Sequence, residues 1–128
     1  MKTPTLLLTP IVLTSILLGA NVAQAQTYNP TNRFPVADKT AIGTQVSGSN
    51  NNFTITGGLS RGQNLFHSFT DFSVPTGGSA TFNHTVGEQS IITRVTGNLF
   101  SDINGLVNTQ GANFLLINPI GMVFGPNA

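Results

Sequence analysis

The 128-residue sequence contains no cysteine and very little charge, with five lysine and arginine residues against four aspartate and glutamate residues. Without cysteine, disulfide bonds, thiol nucleophiles and thiolate metal sites are all excluded. The charged residues form no basic stripe that could hold phosphate groups, so we do not expect nucleic acid as a partner. Small polar residues are abundant instead, interleaved with Phe, Ile, Leu and Val. This composition favours short strands and tight turns over a disordered chain.

The first 25 residues have the organisation of a signal peptide. Lys2 supplies a short positive region, residues 6–18 are mostly apolar, and Ala23-Gln24-Ala25 has the small-residue pattern of a cleavage site. The apolar stretch falls short of the roughly 20 residues that a membrane-spanning helix needs. We therefore predict cleavage after Ala25, export of the chain, and no integral membrane segment after cleavage.

Turn residues recur about every 8 to 12 residues along the remaining chain, which is typical of a β-sandwich, a barrel or a solenoid. Residues 26–41 contain Pro30 and Pro35, and proline disfavours a central strand, so we interpret them as an extended leading segment. The clearest strands are predicted at Phe53–Thr56, Ser79–His84 and Ser90–Thr96.

Two segments have weaker patterns. Phe66, Phe69 and Phe72 are spaced three apart, as on one side of a helix, but the intervening Ser, Thr and Asp are poor helix formers. We therefore predict two short strands with a bend over residues 65–74. Residues 99–111 are predicted to be rich in loops.

The most informative segment is the last one, residues 113–128. The apolar run Phe114–Ile117 is typical of a strand buried on both faces, and Met122–Phe124 predicts a second strand. Between them, Asn118-Pro119-Ile120-Gly121 predicts a turn, because proline fixes φ, glycine permits a positive φ, and asparagine can bond the following backbone. Together they are interpreted as a strand–turn–strand unit of a longer repeating β structure.

This turn resembles the NPNG-type motif of the filamentous haemagglutinin N-terminal domain, also called the haemagglutination activity or TPS domain, of bacterial two-partner-secretion exoproteins. Ile120 stands where that family commonly has a second Asn. Further segments resemble early segments of the family in the same order, namely residues 52–58, 64–69, 72–78, 92–97 and 103–106. The resemblance runs from about residue 42 to residue 128 and covers only the first part of the family's domain.

The resemblance implies a fold and a division of the chain. The fold would be all-β, a right-handed parallel β-helix (solenoid) with an N-terminal cap, truncated after residue 128. The chain would then consist of a signal peptide at 1–25, the leading segment at 26–41 and a partial TPS domain at 42–128. In a solenoid, a last coil without a neighbour exposes apolar residues and a backbone edge, so we expect self-association or partial folding.

The resemblance also implies a function. The domain would be recognised by an outer-membrane β-barrel transporter, nucleate β-helix folding, and be exported through the periplasm to the cell surface or medium. Asn118, Pro119 and Gly121 are the candidate residues for transporter recognition or for the structural turn. Relatives of full length are often adhesins or haemagglutinins, which adds surface ligands on host or neighbouring cells as partners.

Residues that carry chemistry are few. His67 and His84 each precede a carboxylate by four residues, but neither segment is predicted as a helix, so a structural or surface role is favoured over metal binding. Arg94 is interpreted as an outward-pointing residue whose strand neighbours face the core, with partner binding as a second interpretation. The four carboxylates are scattered and are interpreted as solvated surface groups. They are Asp38, Asp71, Glu88 and Asp102.

No enzyme activity, metal or cofactor is therefore expected. A polysaccharide-active β-helix enzyme is the rival class, and it would need carboxylates clustered along a groove. The sequence is also compatible with a free-standing small adhesin and with a non-functional gene fragment.

Overall fold

The computed structural model describes residues 33–128, so the predicted signal peptide, its cleavage site and the first part of the leading segment lie outside the described residues. Within residues 33–128 the chain forms eleven strands and no helix, and accordingly none that could cross a membrane. The predicted all-β class is confirmed. The strands are β1 (Val36–Ala37), β2 (Thr44–Ser49), β3 (Asn52–Gly57), β4 (Leu59–Arg61), β5 (Asn64–Asp71), β6 (Ser79–Phe82), β7 (Ser90–Val95), β8 (Ser101–Ile103), β9 (Leu106–Asn108), β10 (Asn113–Ile117) and β11 (Met122–Phe124).

Parallel pairing dominates the fold. Strands β3, β6 and β9 form one parallel ladder, and β5, β7 and β10 form a second. In the third, β8 pairs in parallel with β11, and Ile103 of β8 forms a parallel bridge with Val74. The chain runs through the three ladders three times, each time in the same order. One run through all three ladders is called a pass. Each pass therefore lies directly beside the previous one, in register with it.

Antiparallel strands occupy the first edge of two ladders. Strand β2 pairs with β3, and both β1 and β4 pair with β5. The β2–β3 hairpin turns at Asn50-Asn51, whose φ angles are 52° and 66°. Two successive positive φ angles are the signature of a type I′ turn, which suits the twist of a hairpin. The start of the domain is thus covered by strands that run against the parallel direction.

The core lies between the ladders and is built from alternate residues of each strand. In β7, Ile91, Thr93 and Val95 are buried, whereas Arg94 is exposed, which confirms the predicted outward position of Arg94. The phenylalanine rings pack against one another, with the ring of Phe82 5.3 to 6.4 Å from four neighbouring ring centroids. The buried hydrophobic cluster comprises Ile55, Phe69, Phe72, Val74, Ala80, Phe82, Ile91, Val95 and Ile103.

The predicted strands within residues 53–56, 79–84 and 90–96 are present as β3, β6 and β7, and two other predictions were correct only in part. Of the two short strands with a bend predicted over residues 65–74, residues 64–71 form one strand, β5, which pairs with β7 on one side and with β1 and β4 on the other. After Phe72-Ser73 the chain joins a different ladder, where Val74 contributes only the bridge to Ile103 rather than a second strand. The passage predicted as loop-rich contains the short strands β8 and β9, which are defined by pairing with β11 and β6.

The prediction that residues 114–117 form a strand buried on both faces was also wrong in part. The strand is present as β10, but Leu115 and Ile117 are 52% and 45% exposed. Side chains alternate along β10, so Phe114 and Leu116 pack against the core whereas Leu115 and Ile117 point to the outer face of the sheet. The strand therefore has one face towards the core and one towards solvent, instead of two buried faces.

Candidate functional site

The predicted turn at Asn118–Gly121 joins β10 to β11. The backbone N–H of Gly121 donates to the carbonyl of Asn118 over 3.1 Å, which closes a four-residue turn. The side chains of Pro119 and Ile120 at its tip are exposed. The turn is therefore closed by a hydrogen bond, and the apolar side chains at its tip are exposed to solvent.

Asn118 is only 7% exposed and links this turn to the previous pass of the chain. Its Oδ1 accepts from the N–H of Ile120 over 3.0 Å, which is an Asx-type bond. Its Nδ2 donates to the carbonyl of Leu99 and to Oγ of Ser101, both over 3.0 Å. The N–H of Ser101 in turn donates to the carbonyl of Gly121 over 3.0 Å. These bonds stack one corner of the fold on the corner before it.

Gly121 has a φ of 127°, a region that side chains other than glycine rarely adopt. Apart from Gly121 itself and its two neighbours in the chain, no atom lies within 4 Å of the position that a Cβ on Gly121 would occupy. The requirement for glycine is therefore conformational rather than a matter of space.

A second polar cluster, the Asp38 cluster, ties the leading segment to the parallel strands. The carboxylate of Asp38 accepts from the N–H and Oγ1 of Thr40, from Oγ of Ser68 on β5 and from Oγ1 of Thr96 after β7. These donors, above all the Thr40 hydroxyl, lower the pKa of Asp38 below its usual range. The N–H of Asp38 also donates to the carbonyl of Ser68 over 3.0 Å.

Arg33 and Asp71 form the second tie of the leading segment. The Nε and Nη2 atoms of Arg33 donate to the two carboxylate oxygens of Asp71 over 3.0 and 2.8 Å, and Nη2 also donates to the carbonyl of Phe100. The Oγ of Ser73 donates to the same carboxylate over 2.9 Å. Bidentate pairs of this kind are stronger and more directional than ordinary surface ion pairs.

The prediction that all four carboxylates are solvated was therefore wrong. Asp38, Glu88 and Asp102 are each less than a tenth exposed, and Asp71 is bound by arginine. The N–H of Thr85 donates to Glu88 and lowers its pKa. Burial raises the pKa of Asp102, which accepts from Nδ2 of Asn104 over 2.8 Å. The few carboxylates of this sequence thus form hydrogen bonds and an ion pair within the fold, which the number of charged residues alone does not reveal.

The two histidines have structural surroundings, as predicted. His67 is 1% exposed and packs against the rings of Phe69 and Phe82, with its Nδ1 3.2 Å from Oγ1 of Thr44. Burial lowers the pKa of His67 to about 4, so the ring is neutral near pH 7. The two ring nitrogens of His84 lie 2.9 and 3.0 Å from the carbonyls of Thr85 and Thr109. Residues 33–128 contain no group of three or more side chains suited to hold a metal ion.

Sequence reasoning placed the turn correctly but missed the polar ties and one surface. The donors to Asp38 come from residues 2, 30 and 58 positions away, so only the folded chain brings them together. The missed surface had a visible signal, the adjacent apolar pairs Leu65-Phe66 and Ile91-Ile92. Because successive residues of a strand face opposite sides, such pairs make both faces apolar.

A family model described as the TPS secretion domain matches residues 33–128. The match spans every residue that the structure describes, and it confirms the resemblance identified from the sequence. No curated protein matches the chain, and no solved structure does.

Proposed function

The chain belongs to the TPS secretion domain family, and from that membership we propose that it is the secretion-targeting N-terminal domain of a two-partner-secretion surface exoprotein. The signal peptide in residues 1–25 takes the unfolded chain across the inner membrane. An outer-membrane β-barrel transporter then recognises the domain in the periplasm and passes it to the outside. The observation that carries the proposal is the family match over residues 33–128.

The proposed fold is a right-handed parallel β-helix with an N-terminal cap. It is supported by the three parallel ladders, which the chain visits in the same order on each pass. It is also supported by the antiparallel strands β1, β2 and β4, which lie only against the first strands of two ladders. In such a fold each coil would lie about 4.8 Å from the next.

The proposed nucleating role follows from the open edge of these ladders. Strands β9, β10 and β11 each pair on one side only within residues 33–128. Their free backbone N–H and C=O groups form a template on which an extended segment adds as a further strand. Each coil that folds outside the cell would then order the coil after it.

We assign Asn118 and Gly121 a structural contribution to export, and Pro119 a contribution through direct contact. The amide of Asn118 is engaged in the fold, so its contribution is to hold the corner rather than to contact the transporter. Pro119 is exposed at the tip and is available for direct contact. Gly121 supports the backbone conformation that presents this tip.

Adhesion to surface ligands on host or neighbouring cells is proposed for the exoprotein as a whole. The matched family is a targeting family rather than a catalytic one. The carboxylates that a polysaccharide-active enzyme would use are bound to donors of the chain itself, so no observation favours that rival.

The test is export of a reporter fused after the chain, in cells with and without the partner transporter. We expect the reporter in the medium or on the cell surface only when the transporter is present and residues 33–128 are intact. A matched fusion that keeps residues 1–32 alone should stop in the periplasm. Release that does not depend on the transporter would contradict the proposal.

A further inference from the structure

The outer face of the β4–β5–β7–β10 sheet carries a row of apolar side chains. In β5 and β7, the residues buried in the core alternate with Phe66 and Ile92, which therefore point to the opposite face. Phe66 is in register with Leu59 on one side and with Ile92 on the other, and Ile92 is in register with Leu115. Four apolar residues thus lie side by side across four strands, over a length of about 14 Å at the usual strand spacing.

This row borders a groove of about 500 Å³ whose walls are mainly apolar. Leu59, Phe66, Ile92 and Ile117 line it, and the two cations on its walls are Arg61 and Arg94. Each arginine is two residues along its strand from a member of the row, and the register places them on opposite sides of it. The groove therefore combines an apolar floor with one positive charge on either flank.

Neither arginine has a carboxylate partner within residues 33–128. Arg61 donates to the carbonyl of its neighbour Ser60, and Nε of Arg94 donates to Oγ of Ser68 over 3.1 Å. Ser68 donates onward to Asp38, so the guanidinium of Arg94 is held in place without a direct ion pair. Guanidinium groups beside an apolar surface bind carboxylates strongly and often in a bidentate manner.

We propose that this outer groove binds an acidic amphipathic segment of another protein. The aliphatic side chains of that segment cover Phe66, Ile92 and their neighbours, and two of its carboxylates pair with Arg61 and Arg94. Apolar burial supplies most of the affinity, and the two charge pairs set orientation and selectivity. The groove binds such a segment whether or not a transporter recognises the domain.

A second copy of this chain is a poorer fit to the groove. All four of its carboxylates lie within the described residues, and each already accepts hydrogen bonds or an ion pair inside its own fold. A lipid surface is also a poorer fit, because two arginines offer little attraction to anionic headgroups and most of the apolar row lines a groove rather than a flat face. The charge pattern favours a partner that brings its own carboxylates.

The experiment uses the full chain and a synthetic amphipathic peptide of about four helical turns, with leucines on one face and a glutamate near each end. A second peptide has lysine in place of both glutamates. Binding is measured by fluorescence anisotropy at low and at physiological salt. We expect the glutamate peptide to bind at least about tenfold more tightly than the lysine peptide, with the preference reduced by salt.

Two matched pairs of variants locate the binding. Arg61→Glu with Arg94→Glu should weaken the glutamate peptide by about tenfold or more, whereas Lys39→Glu, at another exposed cation, should not. Ile92→Thr should weaken both peptides, whereas Leu106→Thr, at an exposed leucine of a different ladder, should leave binding unchanged. Circular dichroism of each variant separates loss of binding from loss of fold.

Each of the following outcomes would overturn the proposal. The first is that neither peptide binds the folded chain, and the second is that both peptides bind equally and all variants behave alike. The third is that vesicles of phosphatidylglycerol occupy the groove and the peptides do not, which would make the surface a lipid-binding face. Retained preference for glutamate after reversal of both arginines would also contradict the assigned contacts.

Discussion

Gly121 and Ile120 are neighbours in one turn, but we expect substitution to be harmful at Gly121 and tolerated at Ile120. We predict that Gly121→Val strongly lowers export and destabilises the corner by about 1–3 kcal/mol, because a β-branched residue is strained at a positive φ. Ile120 is 56% exposed and contributes only its N–H to the turn, so Ile120→Asn should be exported normally. Export with the partner transporter and urea unfolding measure the two effects. Equal, normal export of both variants would mean that the turn is neither recognised nor structurally required.

His67 makes stability depend on pH through a buried neutral ring. The pKa of His67 is lowered to about 4 in the folded chain, against 6.5 for the unfolded reference, so protonation favours the unfolded state. Its contribution to stability is fully present above about pH 6.5 and is lost as the pH falls towards 4. The loss is on the order of 3 kcal/mol, since each pKa unit corresponds to about 1.4 kcal/mol.

We therefore predict that the urea midpoint of the wild type falls steadily as the pH is lowered from neutral towards the folded-state pKa of His67. His67→Leu removes the titrating group and should flatten this slope, even if it changes the midpoint at neutral pH. Thr44 keeps one partner in this variant, since its Oγ1 also accepts from the N–H of Ser68 over 3.0 Å. An unchanged slope in the variant would show that another group carries the pH dependence.

Gly97 and Gly87 both lie in turns between strands and offer a matched comparison. A Cβ on Gly97 would lie 2.1 Å from the carbonyl oxygen of Thr70, whereas a Cβ on Gly87 would meet nothing within 4 Å. We predict that Gly97→Ala destabilises by about 1–3 kcal/mol, because the backbone of two passes must separate. Gly87→Ala should be neutral or slightly stabilising, because it only restricts the unfolded chain.

Chemical denaturation of the two alanine variants under the same conditions measures the difference. A comparison within one residue type cancels most of the effect on the unfolded state. If both variants lost stability equally, the corners would be held by backbone conformation rather than by close contact between passes.

Elements defined by local interactions could be predicted from the sequence, whereas elements defined by long-range pairing could not. Strand β7 was predictable because its alternation and its flanking turn residues are local. Strands β8 and β9 are three residues each and exist through pairing with β11 and β6, so no local pattern defines them. Likewise the turn of Asn118 was predictable from proline, glycine and asparagine, whereas its bonds to Leu99 and Ser101 were not.

The distribution of charge over the whole molecule could not be predicted from composition. Four carboxylates in a nearly neutral chain would ordinarily be expected at the surface. Here three of them are buried, and one is paired with Arg33 in the leading segment. Residues 33–38 are thereby fastened to β5 and to the corner at Phe100. The surface that remains is short of negative charge, which is why the two arginines of the outer groove stand without carboxylates.

The far edge of the molecule, formed by β9, β10 and β11, is open within residues 33–128. Strands β9, β10 and β11 end their ladders within residues 33–128, and large apolar residues on or beside them are exposed. Phe124 and Leu106 are 65% and 59% exposed. We predict that the chain beginning at Gln26 self-associates or is partly folded, because an open edge with apolar side chains pairs with other chains. Extending the chain with further coils should suppress this.

Sedimentation over a range of concentrations tests the prediction, and two lysine substitutions locate the contact. Phe124→Lys with Leu106→Lys places charge on two edge strands and should shift the population towards monomer. Val86→Lys also replaces an exposed apolar residue, but Val86 lies outside every strand and is fully exposed, so this variant should associate like the wild type. If the unmodified chain is a stable monomer that unfolds cooperatively, the exposed edge does not need a neighbour. The interpretation as coils of a solenoid would then give way to a complete small β domain.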